Sequence, residues 1–175
     1  MKIGTKSVLF GVHQFILHPL FTALAWWKLF GVPYDPRLWV AFFVHDLGYL
    51  GKPDMDGDRG ELHPILGAKI MSVFGKNWYG FALYHSRFYA RKHGKKISRL
   101  CVADKYAIVL VPAWLYVFQA NLSGEIHEYM YQAYHGKYVD QDLRFTNQRE
   151  WFESVKATML KWATERIEDE DWYEF

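Results

Sequence analysis

The stretch Asp35-Pro36-Arg37-Leu38-Trp39-Val40-Ala41-Phe42-Phe43-Val44-His45-Asp46-Leu47 decides the fold. Asp35 can cap a helix by accepting from first-turn amides. Pro36 suits the first helical position because it has no amide to leave unpaired. Leu38, Ala41, Phe42 and His45 then recur at three- and four-residue steps, which puts them on one helix face. That face is apolar until His45, and Asp46 follows directly. A buried carboxylate needs a cation, hydrogen-bond donors or a metal, because desolvating it alone costs several kcal/mol.

The same helical reading extends in both directions. Ser7 can cap a helix that runs to Phe30 and is stopped by Gly31 and Pro33. Gly48 to Gly60 is polar and Gly-rich and reads as a loop. His63 to Phe74 is a short helix ended by Gly75. Asn77 caps another towards Lys92, broken by His93-Gly94. Ser98 caps a helix towards Gln119, kinked at Pro112. Glu125 to Tyr134 follows, closed by Gly136. Asn147 with Glu150 forms a capping box for the last helix, whose apolar stripe is Trp151, Val155, Met159 and Trp162. No alternating strand pattern of useful length occurs. The expectation is an all-α, compact single-domain bundle of about six to seven helices over residues 1–175. Its C-terminal helices fall within 125–167, and its acidic end, 168–175, is a solvated tail.

Composition narrows the class. The apolar share is 51% and the aromatic share 19%, so the chain can bury a core and wholesale disorder is excluded. A single cysteine, Cys101, excludes a disulfide framework and a Cys-rich zinc cluster, and it reads as a small buried apolar residue. A net charge of +2 argues against a nucleic-acid coat, so no stable nucleic-acid partner is expected. Two runs, Ser7 to Trp27 and Tyr106 to Gly124, carry no Asp, Glu, Lys or Arg and are interrupted by the polar His13, Gln14, His18, Gln119 and Asn121. Those interruptions, with Pro19 and Pro112, favour buried core helices over membrane spans. Peripheral membrane contact ranks behind, and the expected compartment is the cytoplasm. Trp26, Trp27 and Trp39 read as core. Self-association is left open.

The polar residues on apolar faces carry the chemistry. His18 lies among Phe15, Phe21 and Thr22, and His63 shares a face with Leu66, Gly67 and Ile70. His85 sits among Trp78, Phe81, Ala82, Phe88 and Tyr89. Asp104 sits among Leu100, Cys101, Ala107 and Ile108. One such histidine is ordinarily a hydrogen-bonded core residue. Four helices each supplying a histidine, joined by Asp46 and Asp104, make a metal cage in a bundle core. Imidazole and carboxylate without thiolate suit one or two divalent ions: Mn, Fe, Co, Zn or, less well, Mg.

The ordered set resembles the HD superfamily of metal-dependent phosphohydrolases over about residues 13–110. The matching stretches are His18-Pro19-Leu20, Ala41 to Asp46, Glu61-Leu62-His63-Pro64-Ile65-Leu66-Gly67-Ala68, Tyr84-His85-Ser86-Arg87, and Ile97 to Lys105. The middle and end are most similar to the two-metal branch that includes symmetrical diadenosine tetraphosphate hydrolases. The resemblance implies that His18, His45, Asp46 and Asp104 hold a first metal, and that Asp46 bridges to a second held by His63 and His85. With one metal only, His63 and His85 would bind substrate or act as general acid. The implied activity is cleavage of a phosphoester or phosphoanhydride, with a phosphate or nucleotide as the small-molecule partner. Asp46, His85 and Arg87 are the expected catalytic residues. The alternatives are an HD-type di-iron oxygenase and a non-catalytic metal-binding module.

Arg87, two residues past His85, is the foremost phosphate clamp, with Lys105 second and Lys52 third. The rest of the basic run, Arg91 to Arg99, reads as a solvated helix end. His13 and His18 are about 140° apart on a continuous helix, so only one faces the metal. The His-Pro match selects His18. Asp54-Met55-Asp56-Gly57-Asp58 fails the EF-hand pattern, since Arg59 replaces the glycine and Ile65 the closing glutamate. It reads as a polar, mobile loop.

Overall fold

Asp35 does cap its helix. Its carboxylate accepts from the Arg37 amide at 2.9 Å, with Pro36 at the first helical position. From this point the computed structural model, which describes residues 1–135, 147–169 and 172–173, continues as helices in both directions. They are α1 (Ile3–Phe10), α2 (Leu17–Phe30), α3 (Pro36–Val44), α4 (Pro64–Met71), α5 (Lys76–Leu83), α6 (Arg87–Lys92), α7 (Arg99–Leu110), α8 (Ala113–Ser123), α9 (Glu125–Tyr134) and α10 (Gln148–Asp169). Short 3-10 turns follow α3, precede α4 and end it. Among the described residues there is no strand, as the sequence implies.

The helices outnumber the expectation because three expected helices are each broken in two. The run from Ser7 to Phe30 breaks at Gly11, and α2 restarts where the Gln14 side chain accepts from the Ile16 and Leu17 amides. The run from Asn77 to Lys92 breaks after Leu83. Ser86 restarts it as the cap of α6, accepting from the Tyr89 amide. Gly75 rather than Asn77 occupies the cap position of α5. Pro112 does more than kink: α7 and α8 meet at 106°. Pro112 cannot continue the backbone ladder, and Val111 is already extended. Asn147 caps α10, accepting from the Arg149 and Glu150 amides at 3.1 and 3.0 Å. The expected stop at Gly136 lies outside the described residues.

Two apolar clusters form the core. One joins α2, α3, α4, α5 and α7 around Phe42, Phe81 and Leu100. The other joins α1, α8, α9 and α10 around Ile126 and Phe152. Phe21 touches both. Three sequence expectations change here. Trp172, in the presumed acidic tail, is buried beside Val102 and Ala163, and the Tyr173 amide bonds to the Ile97 carbonyl. The two aromatic side chains hold this end down more strongly than the acids solvate it. The 54–58 loop is pinned, because Glu128 of α9 accepts from the Met55 and Asp56 amides and Met55 is buried. Trp26 is core, but Trp27 and Trp39 are exposed. Cys101 is buried, as expected.

Candidate metal centre

Five helices bring the six expected ligands together. His18 lies in the first turn of α2 and His45 at the end of α3, with Asp46 next. His63 sits directly before α4, His85 in the break after α5, and Asp104 in the middle of α7. Close backbone approach makes this convergence feasible. A Cβ on Gly67 of α4 would lie 2.6 Å from the Val44 carbonyl oxygen and 2.8 Å from the His45 Cα. A Cβ on Gly48 would strike the His63 carbonyl. Glycine at both positions lets the elements that carry His45 and His63 touch.

The donors fall into two groups. In the first, His18 Nε2 lies 3.2 Å from His45 Nε2 and 3.1 Å from both Asp46 Oδ2 and Asp104 Oδ1. In the second, His63 Nε2 lies 3.1 Å from His85 Nε2, and Asp46 Oδ1 is 3.5 and 3.4 Å from these two nitrogens. Asp46 therefore turns one oxygen to each group. All six residues are buried.

This donor set fits a metal. Donors bound to one ion at about 2.1 Å are separated by about 3.0–3.5 Å, the spacing seen here. The ring tautomers agree. Nδ1 of His45, His63 and His85 faces the carbonyls of Phe42, Gly60 and Ala82, so these nitrogens donate and each Nε2 is turned to the centre, where the neutral ring can give its lone pair to a metal. The Nε2 atoms of His63 and His85 thus face one another at 3.1 Å, a spacing that a shared cation would suit. The outer partner of His63 is the Gly60 carbonyl rather than Glu61.

Electrostatics follow from burial and the two carboxylates. Burial alone would lower the His45 pKa, but Asp46 and Asp104 outweigh it and lift it to about 10. His18 rises for the same reason. His63 moves the other way: burial dominates, and neighbouring His85 adds to it. Burial alone would raise both carboxyl groups. The facing histidines hold Asp46 well below the usual carboxylate range, and Lys105 with the histidines does the same for Asp104. Lys105 Nζ bonds to Asp104 Oδ2 at 2.9 Å. The ring of Tyr49 stacks on His63, with centroids 4.0 Å apart.

A cavity of about 140 Å³ opens beside the cluster, lined by His13, Tyr49, Arg87, Lys105, Tyr116 and Trp151 among others. Arg87 and Lys105 are thus both brought to the site. Lys52 is not: it packs against Gly4 near α1 and does not line the cavities next to the cluster. The loop after Asp46 turns back towards the N-terminus, where the Gly4 amide binds the Lys52 carbonyl. Val155 and Met159, from the apolar stripe of α10, also line the cavity.

One residue set aside by the sequence reading belongs here. His13 Nε2 lies 4.0 Å from Asp46 Oδ2, and its Nδ1 lies 3.2 Å from Glu125 Oε2. Glu125 is fully buried. It accepts from the Val12 amide, the Ser123 hydroxyl and the Tyr129 hydroxyl. Burial alone would raise its pKa, but these donors and His13 lower it.

The fold and the site define an all-α protein whose buried His/Asp cluster can hold metal and is compatible with an HD-like site. Comparison with known proteins returns no match: no family model, curated protein or solved structure aligns with the chain.

Proposed function

We propose that this protein is an HD-type metal-dependent phosphohydrolase that cleaves a phosphoester or phosphoanhydride bond of a nucleotide or dinucleotide. The observation that carries the reading is Asp46, with one carboxylate oxygen turned to each of two histidine groups beside a cavity lined by the Arg87 and Lys105 side chains. His18, His45, Asp46 and Asp104 would hold one ion, and Asp46, His63 and His85 a second. Divalent ions there supply Lewis acidity and lower the pKa of water. Arg87 and Lys105 bind the phosphoryl oxygens and offset their charge. Asp104 orients Lys105. Glu125 holds the His13 ring at the edge of the cavity and beside Asp46, from where the protonated ring would give its proton to the leaving oxygen. Tyr49 packs His63 in place.

The test is product analysis. Manganese- or iron-loaded protein is incubated with nucleotides, dinucleoside polyphosphates and cyclic dinucleotides, and products are separated by chromatography, with Asp46→Ala as control. Cleavage lost in the control is the expected result. No cleavage by protein with demonstrated metal content overturns the reading, and oxygen uptake by the iron-loaded protein would put the oxygenase in its place.

A further inference from the structure

Surface helices of water-soluble domains turn polar residues outward. Helix α2 does the reverse. Its exposed positions are Leu17, Leu20, Leu24, Trp27 and Lys28, and Trp27 is 58% exposed. These five lie on one arc of the helix, at steps of three and four residues. Helix α8 repeats the pattern with Trp114, Phe118 and Leu122 at 72%, 61% and 51% exposure. Such contiguous apolar surface marks an interaction site rather than chance exposure.

The two faces differ in their relation to the site, and it is that of α2 that borders it, at Leu17. Leu17 and Phe21 of α2, with Val111 just before α8, line one cavity together with His18 and Asp104. Charge indicates what covers them. Residues 1–34 contain Lys2, Lys6 and Lys28 and no acidic residue, and residues 106–124 contain no charged side chain. A second copy of this chain would bring the same lysines and apolar residues to the contact, and these two segments offer no acid in return. An anionic lipid surface complements both the lysines and the apolar face, and exposed Trp is the residue type enriched at the bilayer interface.

We infer that the exposed apolar faces of α2 and α8 are docking surfaces that seat the protein on an anionic bilayer. No single described helix is long and apolar enough to cross a membrane, and the inferred contact is peripheral. The inference rests on surface chemistry and does not depend on the proposed reaction.

The test is flotation of the metal-free full chain with vesicles of phosphatidylcholine and phosphatidylserine. The expected result is binding that falls with added salt and that drops about tenfold or more in a Leu20→Ser, Leu24→Ser, Trp27→Ser variant. Val73→Ser, which removes an exposed apolar side chain elsewhere, should leave binding unchanged. A Lys2→Glu, Lys6→Glu, Lys28→Glu variant leaves the apolar face intact and should also lose binding, so the inference stays exposed even if the serine variant misfolds. Absence of flotation by the wild type overturns it. So does a solution dimer that the serine variant splits, which would make a second copy the occupant. Neither readout involves turnover, so failure here leaves the phosphohydrolase reading standing.

Discussion

Gly67→Ala is a small change that separates the metal-centre geometry from ordinary helix energetics. Gly67 lies within α4, where alanine in place of glycine ordinarily stabilises a helix by about 1 kcal/mol. Here the added methyl would stand 2.6 Å from the Val44 carbonyl oxygen and 2.8 Å from the His45 Cα. Both are backbone atoms and cannot rotate away. Restoring ordinary contact requires α4 to retreat by about 0.8 Å from the end of α3. Overpacking of this kind costs about 1–3 kcal/mol, so the net effect on the metal-free protein is destabilisation of up to about 2 kcal/mol. The effect on the centre is larger. His63 begins α4 and His45 ends α3, so the retreat moves the two histidine groups apart across the Asp46 bridge. A displacement that disturbs ligand orientation lowers metal affinity about 10–100-fold.

The assay has two parts. Urea denaturation in chelator gives the stability change, and metal titration against a chromogenic chelator gives the affinity. Lys69→Ala, exposed on the same helix, is the control and should change neither. A Gly67→Ala protein that is more stable than wild type and binds metal equally well would refute the reasoning, because helix propensity would then be the only force at that position.

Three further outcomes are expected. Because Asp46 and Asp104 push the pKa of metal-free His45 up from its ordinary 6.5 to about 10, its contribution to metal-free stability should be full below 6.5 and fade as pH rises through about 10. Metal binding at pH 8 must therefore expel a proton, and calorimetry in buffers of different ionisation enthalpy should show release and an affinity that rises with pH. Glu125→Ala leaves the Val12, Ser123, Tyr129 and His13 donors without their acceptor and should cost about 2–4 kcal/mol in urea denaturation. Since the Glu125 carboxyl is lowered in the folded state, wild type should lose this stability as pH falls below the ordinary carboxyl range, and Glu125→Gln should flatten that loss. Asn147→Ala removes the cap of α10 and should lower stability by about 1 kcal/mol, and metal affinity equal to wild type is the check that α10 itself holds no ligand.

How much of the fold was legible depended on whether its signals were local. The Asp35-Pro36 and Asn147 caps act within a few residues, and both helices start where the sequence places them. The breaks at Gly11 and Ser86 were missed, since each flanking segment is apolar enough to continue a helix. At Gly11 the deciding contact is distant: a Cβ there would meet Glu125 Oε1 and Ser123. Burial of Trp172 was hidden by the acids around it, since net charge describes a segment and says little about one indole within it. The exposed faces of α2 and α8 were misread for a related reason. An uncharged run shows that water is a poor solvent for a segment, and it does not specify whether protein or something else covers it.

The six candidate ligands were legible because a carboxylate or imidazole on an apolar stripe conflicts with its own surroundings, and the conflict can be read from sequence alone. His13 shows where that logic ends. A helix phase of about 140° between His13 and His18 excludes one of them only if a single helix runs through both. The chain leaves helix after Phe10 and re-enters at Leu17, so no phase passes between the two residues, and their rings end 5.5 Å apart at the same site. Glu125, 112 residues further along the chain, fixes the His13 ring. Nothing near His13 in the sequence encodes that partner. Phase therefore assigns a residue to a face only within an unbroken helix, and across a break the buried charge that needs a donor becomes the better guide. Here that charge is Glu125, a fully buried carboxylate opening α9, and asking what satisfies it leads back to His13.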